Sequence, residues 1–551
     1  MTVAATEGRR VINGWSLRWD EALAAQARAD GVWPDETSAD MALRALAQQP
    51  ERVIVIDEQR SLTVRELVDQ AQALARTFVA RGLQPGDVIS LMLPNWHEAT
   101  VIYLAATFSG LVANLILPNY RNNEVIFTLD DCGSKMIFVP ELFRKFDYVA
   151  MMQDVNAKLA RPVEVVVLRG AARGMSAYAA LLAERHDAVL PRVDPDSVKM
   201  VMYTSGTSGR AKGVLHSHNT ISAAVTQIHR YWHVVAGDCF FVPSPISHIG
   251  GSIYAFELPF LAGTQVVLQE AWEPEAAVTA FLTHGCTHMA GATPFLQALL
   301  TAATRAGTRL PRLKVFICGG ASVPASLIRE AAAQFENCIV SRVFGCTEVP
   351  MITAGSMARG DIDHAAETDG KPGLCSVKLI GPDGRQVFDE GEILSRGPQM
   401  LLGYLRREDE DGKFDAEGYF LTGDLARLID GEYLVITGRA KDIIIRNGEN
   451  IAPKEVEDIL IQHPAIAEIS IVGLPDARTG EMACAVIVPV PGAHPGVNDL
   501  RDFLNARNVA KFKIPERVEL RASLPRNAAG KVLKNRLRDV VLDPSLETAV
   551  E

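Results

Sequence analysis

The chain has 551 residues, 48% of them hydrophobic and 22% charged, with a formal net charge of −11. That length exceeds one hydrophobic core and predicts two or more domains. The acidic balance excludes nucleic acid as a bulk partner and a polybasic membrane anchor, though a site can still be locally basic. Eight scattered cysteines without a Cys-x-x-Cys pair predict reduced thiols of a cytoplasmic protein rather than a disulfide framework. The N-terminus has basic residues but no apolar stretch behind them, so no signal peptide is read there.

Residues 1 to about 50 read as an Ala/Arg-rich helical lead-in containing Trp15, Trp19 and Trp33. From Arg52 the sequence alternates. Val53–Ile56 and Val88–Leu93 read as strands, with Val64–Arg81 as a helix between them. Ala99–Pro118 runs twenty residues without a charge, near the length of a membrane span. Gly110 interrupts it, and Thr100, Thr107, Ser109 and Asn114 spread polarity through it. The pattern predicts a buried helix ending near Gly110, then a short strand over Leu111–Leu117, and no membrane span. Strands at Met136–Val139, Val165–Leu168, Gln265–Leu268 and Lys314–Cys318 continue the alternation, which implies parallel sheets covered by helices, an α/β fold.

After about residue 370 glycine, proline and short β-type runs take over, at Ser376–Ile380, Gly391–Ser395 and Gly431–Thr437. They predict a meander or small β-barrel closing the large domain. Glu455–Gln462 then reads as a helix, Ala467–Gly473 and Met482–Val490 as strands, and Val497–Arg507 as another helix. That is a compact α+β unit, with its boundary at Gly438–Lys441.

The most informative segment is Tyr203-Thr-Ser-Gly-Thr-Ser-Gly-Arg-Ala-Lys-Gly213. A strand-like run, Val198–Tyr203, precedes this loop of glycines, small hydroxyls and two cations. Such a loop suits a phosphate, because glycines let backbone N–H groups close in while hydroxyls donate and cations neutralise. It is neither a P-loop, since Lys212 follows Ala211 and precedes Gly213, nor a G-x-G-x-x-G turn. His216 and His218 have the spacing of a metal pair, but no third ligand stands near them in sequence.

The loop resembles the signature of the adenylate-forming enzymes: acyl-CoA synthetases, aryl-acid ligases, luciferases and peptide-synthetase adenylation domains. Six further segments match in order: Gly319-Gly-Ala-Ser322, Phe344-Gly-Cys-Thr-Glu348, Tyr419-Phe-Leu-Thr-Gly-Asp424, Gly438-Arg-Ala-Lys-Asp442, Asn447-Gly-Glu-Asn450 and Pro525-Arg-Asn-Ala-Ala-Gly-Lys531. The resemblance extends along nearly the whole chain. It implies a large N-terminal domain of parallel α/β subdomains plus a small β-barrel over residues 1–438, a hinge at 439–441, and a small mobile α+β domain over 442–551. It also implies a reaction, the ATP-dependent activation of a carboxylic acid through an acyl-adenylate, followed by transfer to CoA.

The resemblance assigns roles to particular residues. Thr204, Ser205, Gly206, Thr207, Ser208 and Gly209 would hold the β- and γ-phosphates of ATP, with Lys212 assisting as a charge. Glu348 would carry Mg²⁺, and Thr347 would hydrogen-bond the α-phosphate. Phe344 would stack on adenine, Gly319, Gly320 and Ala321 would form a flat wall beside it, and Gly345 would join the nucleotide site. Asp424 would accept from the ribose hydroxyls, supported by Arg439. Lys531 would bridge the substrate carboxylate and the α-phosphate during adenylation. Rotation about Lys441 would then withdraw Lys531 and bring Asn447, Gly448, Glu449 and Asn450 to the thiol's path.

For the acid, His248 would orient the substrate among Ile249, Gly250, Gly320, Gly345, Pro350 and Met351. This uncharged pocket disfavours dicarboxylates and amino acids. Likeness to ligases of cyclic acids, in Leu93-Pro-Asn-Trp96, Phe143-Arg-Lys-Phe-Asp-Tyr148 and Lys511-Phe-Lys-Ile-Pro515, points to an alicyclic, aromatic or medium-chain acid. The alternative is a stand-alone aryl-acid AMP ligase loading a carrier protein. Those that read 2-hydroxybenzoates carry Asn just after the pocket histidine, whereas this chain has Ile249. The reading also leaves room for a homodimer and for a lysine acetyltransferase that acts on Lys531, which would remove the charge that meets the α-phosphate.

Overall fold

The computed structural model describes residues 8–204, 210–320, 323–446, 449–476, 478–507, 509–526, 532–543 and 546. It opens with a hairpin, not a helix: Arg9–Ile12 pairs antiparallel with Trp15–Arg18. The turn falls on Asn13 and Gly14, both at positive φ (50° and 83°), the conformation a two-residue hairpin favours. Strands of four residues are too short to register as a period, so the helical reading began too early. The helices Glu21–Ala29 and Ser38–Gln48 follow, started by Asp20 and Thr37, whose side chains accept from Leu23 N and Asp40 N. This lead-in braces a distant segment. Arg18 N donates to Leu402 O at 2.8 Å, Arg9 pairs with Glu410 at 2.9 Å, and Trp33 Nε1 donates to Pro398 O at 3.0 Å.

Two sheets, each of seven strands among the described residues, form the body. The first runs Ser176–Ala177, Glu164–Leu168, Met136–Pro140, Val88–Leu91, Val112–Leu115, Val198–Thr204, Lys212–Ser217. The second runs Ile339–Val343, Val315–Gly319, His288–Gly291, Cys239–Val242, Gln265–Leu268, Val53–Ile56, Ser61–Thr63. Each is parallel except for its final pair. Strands covered on both faces read as unbroken apolar runs, and one apolar cluster including Ile54, Phe78, Phe138 and Leu268 spans both sheets.

The uncharged stretch behaves as expected. His97–Ser109 is a helix buried at every position except Glu98, ending on Gly110 at φ 69°, and Val112–Leu115 follows as a strand. No described helix is long and apolar enough to cross a membrane. In open α/β sheets ligands gather outside the carboxyl ends of the strands. Thr204, Gly319, Val343 and Val242 each end a parallel strand here, so the segments that follow them share that side.

A third sheet is antiparallel: Gln386–Val387, Ser376–Ile380, Glu390–Arg396, Phe420–Ile429, Tyr433–Arg439. Its first and last strands do not pair with each other among the described residues, so it is an open meander and the expected barrel closure is not seen. It is tied to the second sheet by a buried charge pair. Arg342 donates to both oxygens of Asp369 at 2.9–3.1 Å, and Ile436 N donates to Asp369 Oδ2 at 2.9 Å.

From Ile444 onward the chain builds a separate five-stranded sheet around Ile466–Asp476 and Gly480–Pro489, with helices Pro453–Leu460, Val497–Asn505 and Lys534–Leu542. Its two apolar clusters, one around Val456, Ile487 and Leu500 and the other around Val486, Leu524 and Leu537, contain no buried member from before Ile444.

Gly370, next to Asp369, has φ 88°, and a β-carbon there would lie 2.4 Å from Gly355 Cα. Gly370→Ala is expected to lower stability by at least about 2 kcal/mol, through φ strain and displaced backbone together. A urea unfolding curve with an unchanged midpoint would contradict this close approach.

Candidate active site

Ser205, Gly206, Thr207, Ser208, Gly209, Ala321, Asn447, Gly448 and Lys531 lie outside the described residues, as does the side chain of Asn450. What surrounds the phosphate-type loop is described. Thr204 closes the strand Val198–Thr204, and the strand Lys212–Ser217 returns antiparallel beside it. The loop's two cations turn to one carboxylate: Arg210 and Lys212 pair with Asp409 Oδ1 at 3.0 and 3.2 Å. Asp409 is only 6% exposed. Lys212 is thus anchored as well as charged.

Gly319 and Gly320 follow the strand Val315–Gly319. A β-carbon on Gly319 would meet Val343 O at 2.8 Å, whereas Gly320, at φ 81°, would point one into open space. The first glycine is demanded by the neighbouring strand, the second by its backbone conformation.

The segment Phe344–Met351 is held from several sides. Phe344 is half-buried, and its N–H donates to Thr353 Oγ1 at 2.8 Å. A β-carbon on Gly345 would lie 2.4 Å from Met351 N, so the turn folds back tightly on itself. Met351 has φ 51°, a strained conformation for a non-glycine residue. Its carbonyl is fixed by the buried Gln227 Nε2 at 2.7 Å. The backbone of Glu348 is fixed by Leu401 N, which donates to its carbonyl at 2.8 Å. On its side chain, Tyr404 Oη donates to Oε1 at 3.0 Å, and Thr204 Oγ1 reaches the same oxygen at 3.5 Å.

His216 is part of this support and not of a metal site. Its ring is fully buried, and Nε2 meets Thr347 O at 2.8 Å. A ring nitrogen facing a carbonyl must carry the proton, which fixes the tautomer. Burial pushes its pKa down to about 4, against the smaller opposing effect of that carbonyl. His218 is buried too, near Lys199, which adds to burial in lowering its pKa. Among the described residues, one carboxylate–histidine group is tight enough for a metal: Asp57, His97 and Glu98. Arg169 already fills it, donating to Asp57 Oδ2 and Glu98 Oε2 at 2.7 Å each.

Asp424, in the strand Phe420–Ile429, accepts from Arg439 Nε at 3.0 Å, while its own N–H donates to Thr422 Oγ1 at 3.1 Å. Asp424 and Arg439 are register partners across two strands, so the pair assigned to the ribose is brought together. Cys346 lies near both carboxylates. Its thiol pKa is raised well above the ordinary value, first by burial, then by Glu348 and Asp424.

On the other side, His248 caps a short helix, its Nδ1 accepting from Gly250 N at 3.3 Å. The ring is exposed, yet the surrounding protein lowers its pKa by desolvation, the combination expected of a side chain lining an open cleft. Ile249 is buried, and Tyr254 Cε2 lies 3.9 Å from where a Gly250 β-carbon would sit. The helix passes into a π-helical turn at Ile253–Glu257. Asn95 clamps the approach, donating to Val242 O and Ser244 O at 3.1 and 2.9 Å and accepting from Ile246 N. In the C-terminal unit Glu449–Ile451 pairs with Ile444–Arg446. The chain on either side of residues 527–531 is bridged, Arg526 to Val532, and Leu533 N donates to Pro525 O at 2.8 Å. The supporting roles of His216, Tyr404, Asp409 and Asn95 were not indicated by the sequence motifs, although Asn95 lies within Leu93–Trp96.

Residues 43–405 match the family model for the AMP-binding enzyme, and residues 455–531 the model for the AMP-binding enzyme C-terminal domain. The chain belongs to this family of adenylate-forming enzymes. It is an AMP-forming acid–thiol ligase that works on ATP and CoA. It is 33% identical over 536 residues to the medium-chain fatty-acid–CoA ligase of Escherichia coli K12 (96% of this chain, 94% of that one). Identity to the 2,3-dihydroxybenzoate-AMP ligase of Bacillus subtilis is 29% over 548 residues (96% and 98%). Among solved structures, ATP-bound MatB from Rhodopseudomonas palustris superposes with a TM-score of 0.82 at 28% identity, covering 92% of this chain and 99% of that one.

Two buried histidines, His216 beside Thr347 and His288 at the start of the strand His288–Gly291, have pKa values lowered to about 4 by burial. The unfolded chain therefore binds protons first as pH falls below about 6.5, and each histidine should cost about 2 kcal/mol of stability between pH 7 and 5. His216→Gln keeps an N–H donor for Thr347 and removes one titration, so its loss over that interval should be smaller by that amount. Equal losses in denaturant titrations at the two pH values would contradict a neutral His216.

Proposed function

We propose that the chain activates an alicyclic, aromatic or medium-chain carboxylic acid as its acyl-adenylate and passes the acyl group to CoA. The observation that carries this reading is the convergence on Glu348. Thr204 from the phosphate-loop strand and Tyr404 from a distant segment both reach Oε1, and Cys346, beside Glu348 in the same turn, feels the charge of Asp424 as well. Triphosphate, metal and ribose functions would then share one face.

Adenylation brings a carboxylate against the α-phosphate, so the site must supply donors and positive charge where negative charge accumulates. Thr204 and the loop 205–209 would hold the β- and γ-phosphates, with Lys212 steadying the loop's far end from Asp409. Thr347 would donate to the α-phosphate, and Asp424 would accept from the ribose while Arg439 fixes its orientation. Phe344 would cover one face of adenine, with Gly319, Gly320 and Ala321 along the other edge.

Glu348 fits a magnesium ion. It is half-buried, forms no ion pair among the described residues, and has its hydroxyl donors on a single oxygen. Such a carboxylate beside phosphate oxygens suits a hard cation. When bound, the ion would neutralise phosphate charge as pyrophosphate departs.

The residues proposed for the acid, His248, Ile249, Gly250, Gly320, Gly345, Pro350 and Met351, bring no formal charge to the pocket, because desolvation favours the neutral form of His248. A second carboxylate or an ammonium group would be buried without a partner there. The separate apolar clusters after Ile444 support a C-terminal domain over 442–551 turning about 439–441. It would carry Lys531 in for adenylation and present Asn447, Gly448, Glu449 and Asn450 for thiolation.

Pyrophosphate release from Mg·ATP across alicyclic, benzoic, hydroxybenzoic and straight-chain acids tests the reading. Sustained turnover with CoA on a ring or medium-chain acid is expected. A single burst that CoA cannot relieve would instead favour an aryl-acid AMP ligase loading a carrier protein. Lys531→Ala should lower adenylation by about 10²–10³-fold while thiolation of supplied acyl-adenylate stays within a few-fold. Equal loss of both half-reactions would end the proposed division of labour.

A further inference from the structure

Tyr404 lies 56 residues from Glu348 in sequence, yet its phenol donates to that carboxylate at 3.0 Å. Its own placement is over-determined. Leu402 N donates to Leu215 O at 2.9 Å, Leu215 N to Gly403 O at 3.1 Å, and Leu405 N to Gly213 O at 2.7 Å. The segment 402–405 is thereby stitched along the strand Lys212–Ser217. Gly403 has φ 112°, and a β-carbon there would strike Glu410 Oε1 at 2.4 Å. That same Glu410 oxygen accepts from Tyr404 N at 3.3 Å. The ring is 3% exposed, and Lys212 Nζ lies over it, 5.4 Å from the centroid. A residue fixed this firmly, whose hydroxyl ends on a carboxylate that forms no ion pair among the described residues, has more than packing to do.

We infer that Tyr404 is a positioning residue for Glu348, holding Oε1 so that the carboxylate presents its other oxygen to the metal–nucleotide complex. The inference rests on the reading of Glu348 as the magnesium-bearing carboxylate. The phenol removes one oxygen from rotational averaging, so the site does not have to order that side chain when Mg·ATP arrives. Because Tyr404 is stitched to the strand that starts at Lys212, the position of the carboxylate is also referenced to the end of the phosphate loop.

Tyr404→Phe keeps the ring, its packing and the contact with Lys212, and deletes only the donor. Calorimetric titration of the full-length protein should show Mg·ATP binding weakened roughly ten-fold, with metal-free ATP in EDTA bound within two-fold of wild type. Pyrophosphate release should need correspondingly more Mg²⁺ for half its maximal rate. In a Glu348→Gln background the same substitution should add little, because the group it positions no longer carries charge. Equal weakening of both nucleotide forms would mean a general structural role, and no weakening of either would mean no role in positioning; each overturns the proposal. If Glu348→Gln alone binds Mg·ATP like wild type, the magnesium reading fails and the proposal falls with it, an outcome distinguishable from failure of Tyr404→Phe alone.

Discussion

The site depends on one buried interaction, the pair of Arg342 and Asp369. Arg342 stands in the edge strand Ile339–Val343 of the second sheet, and Asp369 meets the meander through its carboxylate and backbone. The guanidinium spans both carboxylate oxygens and also reaches Ala366 O. Asp369 N donates to Leu434 O, and Asp369 O accepts from Thr353 Oγ1, which in turn receives Phe344 N. A charge this deep is tolerated only when every lone pair is met, and removing one partner from such a pair costs about 3–5 kcal/mol. The consequence is positional. The turn carrying Thr347 and Glu348 and the strands carrying Asp424 and Arg439 are set against a common reference point.

A second constraint acts from further away. The N-terminal hairpin and helices grip residues 398–410 through Arg9, Arg18 and Trp33. That segment supplies both Tyr404, which reaches Glu348, and Asp409, which anchors Arg210 and Lys212. The lead-in thus reaches the chemistry through one intermediate layer. Met351 shows the cost of the arrangement, a positive φ retained because Gln227 and the tight approach of Gly345 leave it no alternative.

Much of the fold could be read in the sequence, for identifiable reasons. Val53–Ile56 and Gln265–Leu268 lie where their unbroken apolar runs placed them, since strands covered on both faces need no alternation. Gly110 ends its helix as a left-handed cap. What could not be read was short, charged or distant. The hairpin at Arg9–Arg18 hides in a basic, four-residue pattern. The helix Lys534–Leu542 is rich in Lys, Arg, Asn and Asp and buries only Leu537, Val540 and Val541. Barrel closure was anticipated where the first and last strands do not pair with each other among the described residues. In the site, motifs located Glu348, Asp424 and Arg439 because those residues carry local signatures. Tyr404, Asp409 and His216 do not, because their meaning lies in partners 56, 197 and 131 residues away.

Cys346 has a chemical consequence of its own. An acyl-adenylate is a mixed anhydride, reactive toward any thiolate that finds it before CoA does. This cysteine sits between Gly345 and Thr347, within the influence of Glu348 and Asp424, yet burial and those two carboxylates hold its proton firmly in place. The thiol is therefore the wrong species to attack, since nucleophilicity belongs to the thiolate. The cysteine therefore adjoins the carboxylates proposed for metal and ribose without supplying a thiolate beside them.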